Sequence, residues 1–324
     1  MKINKILILP LFFVSLFMPI SSSSWILMWM GMEFNMLMFI LMILMKKNLF
    51  TTESSMKYFL IQCSGSLIFL LTLSSNFIYF NEWPLMNMML PPMALMLKSG
   101  MAPFHIWMPE IIKNFNFLSL LFFFTFIKIP PFMIMFSSWF NMMIWTSMIN
   151  IFMGSIMGIT QSSLIKILIS SSINNMGWMM LSLMNSNLLF MIQFIIYFFL
   201  LYYIFLMMNL KKIKWMIQIN FYSFFMKMFF YINFLSLAGL PPFMGFFPKW
   251  MILKKMFLFI PFTIFIFILM TILNLFFYLK SCINMMFLFN MKKKWNMKFK
   301  MNFLFMNLHL LININGILMF IFLT

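Results

Sequence analysis

The sequence contains no arginine and no aspartate, and its only acids are Glu33, Glu53, Glu82 and Glu110. Charged residues fill 8% of its 324 positions. Water-soluble domains keep charged residues near about a quarter of the total, so this composition excludes a soluble domain of this length. Cysteine is nearly absent. Cys63 and Cys282 are far apart and no CxxC occurs, which removes the spacings that hold zinc or an iron–sulfur cluster. The two histidines, His105 and His309, are not paired as haem ligands. Neither GxGxxG nor a phosphate-binding loop is found, so nothing readable would hold a nucleotide. The residues therefore predict no metal and no cofactor bound by this chain.

What remains is apolar. Hydrophobic residues make up 65% of the chain and the mean hydropathy is +1.03. Apolar runs of about 20 residues recur, each long enough to cross a hydrocarbon core about 30 Å thick. They predict an all-α polytopic membrane protein with about eleven helices, at 6–20, 25–45, 58–79, 86–107, 117–137, 140–158, 164–184, 187–209, 221–247, 256–279 and 302–323. Short connections favour one bundle of antiparallel neighbours, so residues 1–324 read as a single transmembrane domain. The lysines and short apolar core of the N-terminus imitate a signal peptide, but no small-x-small cleavage site follows, and the segment reads as the first helix. The 49 phenylalanines and 45 methionines, beside the scarcity of residues with GC-rich codons, fit an AT-rich coding genome that reads a second codon as methionine, as in animal mitochondria. They read as substitutes for Leu and Val, not as a sulfur or aromatic site.

The net charge of +18 is of the kind that suggests nucleic acid, but the lysines are scattered through the short loops between spans, so no nucleic-acid partner is expected. With eleven crossings, fifteen lysines fall on the side of the N-terminus and at most three on the other. The positive-inside rule then puts the N-terminus in the matrix and the C-terminus in the intermembrane space. Lys227 and Lys280, near helix ends on the lysine-rich side, are expected to snorkel toward the interface.

Three charges do not fit that scheme. At a rise of 1.5 Å per residue, Glu33 lies about 12 Å along its span, Lys98 about 18 Å and Lys128 about 16 Å, all near a midplane. A central charge costs about 2.5–3.5 kcal/mol on insertion scales, and such groups commonly mark ion or proton pathways. Helix breakers accompany them. Pro91, Pro92, Gly100 and Pro103 flank Lys98, Pro130 and Pro131 follow Lys128, and Gly239, Pro241 and Pro242 precede Lys249. Proline removes a donor and frees a carbonyl four residues earlier, which lipid does not tolerate unless protein or internal water satisfies it. Broken helices that carry charge are the pattern of ion-translocating bundles. An unwound segment is expected at Gly239–Pro242, with Lys249 on a separate half-helix, and Glu33 is expected beside Lys98. Gly154 and Gly158 form a GxxxG read as close packing.

Four stretches, WMGMEFNM, LKSGMAPFHIWMPE, SSINNMGWM and LAGLPPFMGFFPKW, resemble the signature segments of the chain 2 family of mitochondrial NADH:ubiquinone oxidoreductase. These are antiporter-like subunits of the membrane arm of respiratory complex I. The match runs in order from the second span to the ninth, and eleven spans resemble the animal form. The resemblance implies a multi-pass protein of the mitochondrial inner membrane that carries part of the proton translocation driven by electron transfer from NADH to ubiquinone. It places the proton pathway on Glu33, Lys98, Lys128 and Lys249. It further implies that NADH, FMN, iron–sulfur clusters and ubiquinone are held by other subunits, and that the partners are other membrane-arm subunits and lipid. One departure is visible: many relatives carry a histidine just before MGWM, whereas this chain has Asn174 and Asn175, which would need water to relay a proton. Two other readings share the buried charges, a stand-alone cation/proton antiporter and a structural bundle with inert ion pairs.

Overall fold

A computed structural model describes residues 2–45, 48–78, 84–211, 213–221, 224–257, 261–287 and 313. Among them the chain forms helices α1 (Lys2–Ser21), α2 (Trp25–Ile43), α3 (Leu49–Ile78), α4 (Pro84–Ser99), α5 (Met108–Ile112), α6 (Phe117–Phe124), α7 (Ile129–Ser138), α8 (Phe140–Ile159), α9 (Leu164–Asn185), α10 (Asn187–Lys211), α11 (Phe224–Ala238), α12 (Phe246–Met256) and α13 (Pro261–Phe287). Two 3-10 turns, Phe126–Lys128 and Met216–Phe221, interrupt them. An isolated bridge joins Ser163 to Trp215, and no strand occurs among the described residues. Six segments among the described residues are long and apolar enough to cross a membrane. The protein is an all-α polytopic membrane protein.

Its contacts group into two units, Met1–Thr146 and Ser147–Thr324. In the first, α1 packs on α2, α3 on α4, and α4 and α1 on α7. Its core is aromatic. Phe12 meets Phe122 at 5.2 Å between ring centroids, and Phe39 meets Tyr58 at 5.2 Å and Phe123 at 5.9 Å. In the second unit α9 is the central element, packed on α10 and α12, while α11 packs on α13. Sequence hydropathy does not single out α9, because lipid-facing and interior side chains are both apolar and no amphipathic stripe develops. Polar residues mark it instead. Ser170, Ser171 and Ser172 are buried and return their hydroxyl protons to the carbonyls of Ile167, Leu168 and Ile169, each at 2.8 Å. Polar side chains thus lie in the protein interior, while Leu49, Phe50, Phe17 and Leu188 are exposed.

Several expected boundaries move. The span drawn from 58 starts at Leu49, because the polar stretch TTESSMK folds into the first turns of α3 with a Lys57–Glu53 pair of 2.7 Å one turn apart. The span drawn over 86–107 stops at Ser99. Pro91 and Pro92 remain inside α4, and the chain turns instead at Gly100, whose φ is +71°; Pro103 lies in the non-helical segment between α4 and α5. The span drawn over 221–247 divides into α11 and α12, and the tenth runs over Pro261–Phe287. Of the span expected at 302–323 only Asn313 is described; its carbonyl accepts the Met244 N–H at 3.1 Å. Lys227 does not snorkel: its side chain is 2% exposed within the protein, whereas Lys280 is exposed and bonds the Ile159 carbonyl. Gly154 lets α8 approach α9 closely, since a Cβ there would lie 2.6 Å from the Asn174 backbone nitrogen.

Candidate functional site: buried charge at helix breaks

Within the first unit the lone carboxylate of α2 meets the terminal lysine of α4. Lys98 Nζ donates to Glu33 Oε1 at 2.8 Å, with the two side chains 5% and 20% exposed. Lys98 is not in the middle of a span but in the last turn of α4. A helix end leaves its last four carbonyls without intrahelical donors, and three of those of α4, on Met96, Leu97 and Lys98, find donors here. Leu95 and Met96 accept the Ser99 hydroxyl at 2.9 and 3.1 Å, and Met96 also accepts the Met101 N–H at 3.0 Å. Leu97 accepts the Gly100 N–H at 3.3 Å. The Lys98 carbonyl accepts Gln62 Nε2 of α3 at 2.8 Å. Gln62 thereby fixes the backbone that carries the ammonium. Sequence reasoning missed it; its one signal was an amide in an apolar run.

Lys128 also stands at a break, though the prolines act differently from the expectation. Pro130 and Pro131 do not interrupt a helix; they open α7, in positions whose missing N–H costs nothing. The irregular segment precedes them, with Thr125 at φ −118° and ψ −82° and the 3-10 turn ending at Lys128. The Lys128 side chain is 2% exposed. Its Nζ lies 5.2 Å from the Phe124 ring centroid, a cation–π distance, and has no hydrogen-bond partner among the described residues.

In the second unit α11 ends at Ala238 and α12 begins at Phe246. Gly239 takes φ +88°, a conformation that only glycine adopts without strain. A Cβ there would also lie 3.2 Å from Lys249 Nζ. All four orphan carbonyls of α11 are satisfied. Leu235 and Ser236 accept the Gly239 N–H, each at 3.1 Å, and Leu235 also accepts that of Leu240 at 3.3 Å. Leu237 and Ala238 both accept Lys249 Nζ at 3.0 Å. The ammonium of one half-helix thus closes the negative end of the other, where the macrodipole favours a cation. It also lies 5.9 Å from the Trp178 ring of α9. Asn175 lines a cavity with Lys249. Asn174 does not line it: its backbone lies against Gly154, and its amide atoms have no partner among the described residues. No group of three His, Cys or carboxylate side chains gathers among the described residues.

Comparison with known proteins settles the family. Residues 22–276 match the family described as NADH:quinone oxidoreductase/Mrp antiporter, transmembrane. The NADH-ubiquinone oxidoreductase chain 2 of Anopheles gambiae is 39% identical over 86% of this chain and 84% of its own length. That of Hylobates lar is 35% identical over 80% of this chain and 79% of its own. The chain belongs to the NADH-ubiquinone oxidoreductase chain 2 family. Its fold is similar to a chain of respiratory complex I from Thermus thermophilus, with a TM-score of 0.77 at 17% identity, covering 96% of this chain and 77% of that one. Within a chain 2 protein, then, three buried lysines share one local arrangement: each ammonium is carried by, or capped onto, the end of an interrupted helix.

Proposed function

We propose that this chain is a core membrane subunit of respiratory complex I that carries part of the proton translocation driven by electron transfer from NADH to ubiquinone. It is a multi-pass protein of the mitochondrial inner membrane, with the N-terminus in the matrix and the C-terminus in the intermembrane space, and residues 1–324 act as one transmembrane domain. Other membrane-arm subunits and lipid surround it. The chain holds no redox centre; NADH, FMN, iron–sulfur clusters and ubiquinone belong to other subunits.

The observation that carries this reading is the Glu33–Lys98 pair of 2.8 Å, its lysine buried and its carboxylate partly buried, in a chain of this family. The proton pathway runs through Glu33, Lys98, Lys128 and Lys249. Lys98 keeps its proton while the carboxylate is adjacent and gives it up when the carboxylate withdraws. Removing one partner from a buried pair costs about 3–5 kcal/mol, whereas moving a charge against 100 mV costs about 2.3 kcal/mol. The interaction in this one pair is therefore of the size needed to couple its breaking and re-forming to the movement of one charge. The break at Gly239 to Pro242 leaves helix-end carbonyls that the Lys249 side chain itself uses, and the breaks at Gly100–Pro103 and before Pro130 and Pro131 lie beside Lys98 and Lys128.

Two measurements test this. The purified chain alone in liposomes is expected to exchange no sodium for protons, because the driving force reaches it through partner subunits. Exchange by the isolated chain would make it a stand-alone antiporter. Asn175→His in the assembled complex is expected to pump normally and Asn175→Leu more slowly, because an apolar side chain excludes water from the cavity. Equal pumping by Asn175→Leu and the parent would remove α9 from the path.

A further inference from the structure

One face of α10 carries two polar side chains one turn apart, Gln193 and Tyr197. Both are buried, at 4% and 5% exposure. Gln193 Oε1 and the Tyr197 hydroxyl have no hydrogen-bond partner among the described residues. Neither group belongs to the pathway proposed above, and an unsatisfied buried oxygen costs about 1–3 kcal/mol. Both line the cavity shared by Asn175, Ser236 and Lys249, whose volume is about 20 Å³. A water needs about 10–15 Å³ of such space and two to four polar partners.

The donors and acceptors around the cavity are complementary. Two of the three Lys249 ammonium hydrogens go to the Leu237 and Ala238 carbonyls, which leaves one. The Ser236 hydroxyl gives its proton to the Asn233 carbonyl at 2.8 Å and keeps lone pairs free. Gln193 Oε1 only accepts, and the Tyr197 hydroxyl both donates and accepts.

We propose that this cavity is a water-binding site in which Gln193 and Tyr197 hold the water that takes the proton from Lys249. The inference rests on the reading of Lys249 as a proton carrier. In the transfer, an N–H bond of the ammonium breaks and an O–H bond to the water forms. A neutral amine and a hydronium result, the hydronium donating to Gln193 Oε1 and the Tyr197 oxygen. The two residues do not themselves exchange protons with Lys249; they position and stabilise its acceptor.

The test uses the assembled complex in proteoliposomes, with proton flux recorded in H2O and D2O for Tyr197→Phe, Gln193→Leu and Lys249→Gln. Tyr197→Phe keeps the ring and removes only the hydroxyl. It is expected to slow proton flux about tenfold, the order of one hydrogen bond lost from a charged acceptor, and to raise the H2O/D2O ratio because proton delivery becomes limiting. Gln193→Leu is expected to act in the same direction; should it fail to assemble, Tyr197→Phe decides alone. Parental flux in Tyr197→Phe with an inactive Lys249→Gln overturns the water site and leaves the pathway standing. Slower flux with an unchanged isotope ratio assigns Tyr197 a packing role and also overturns it. Parental flux in Lys249→Gln overturns the reading beneath.

Discussion

Replacing Glu33 with glutamine is expected to leave the complex assembled and to slow proton transfer through this chain by about a hundredfold. The amide has nearly the shape of the carboxylate, so the packing of α2 is preserved. It lacks the charge that Lys98 faces at 2.8 Å. With the Lys98 side chain 5% exposed, solvent cannot supply a counter-charge. The ammonium would then be an uncompensated buried charge, worth about 3–5 kcal/mol, and each 1.36 kcal/mol is about tenfold in rate. A lysine that has lost its partner either sheds its proton for good or cannot be relieved by the partner's withdrawal, and both stop the cycle. Glu33→Asp restores the charge on a shorter side chain and is expected to keep part of the activity. An inert ion pair would behave differently: its loss would lower the amount of assembled complex and leave the flux of what assembles unchanged.

The second large effect is expected at Lys249, where two substitutions separate proton transfer from structure. Lys249→Gln retains donors that can reach the α11 terminus but cannot carry a proton. Lys249→Met retains neither. Both are expected to stop proton flux through the second unit. Only the methionine variant leaves the Leu237 and Ala238 carbonyls without their donor, at about 1–3 kcal/mol for each buried group. The yield of assembled complex should therefore fall for Lys249→Met and stay near parental for Lys249→Gln. Normal flux in Lys249→Gln would show that this lysine is only the cap of a broken helix.

How much of this was legible in the sequence depended on the kind of partner each residue has. Glu33 stood out because a lone carboxylate in an apolar run has no bland reason to be there, and its pairing with Lys98 followed from the need for an opposite charge. The break after α11 was legible because consecutive prolines behind a glycine leave little choice of backbone. The partners of Lys249 were not, because Leu237 and Ala238 contribute carbonyls, and every residue has one. The position of Lys98 was misjudged for a related reason. Pro91 and Pro92 look like the breakers but are held inside α4, so the turn waits for Gly100 and the lysine ends its helix. At Lys128 the order reversed, with the prolines starting a helix instead of stopping one. Lys227 looked like an interfacial lysine from its place near a helix end, and only the packing of its neighbours buries it. Gln193 and Tyr197 carry no sequence signal, since one amide and one phenol among apolar residues are common in any span. Their meaning comes from the cavity they share with Lys249.

The most direct measurement is proton flux, at matched NADH oxidation conditions, in proteoliposomes that hold equal amounts of assembled complex with the parental chain or with Glu33→Gln. A proton pathway through the Glu33–Lys98 pair predicts flux reduced about a hundredfold at parental levels of assembly. Parental flux from the Glu33→Gln complex would make the pair a structural ion pair and contradict the account.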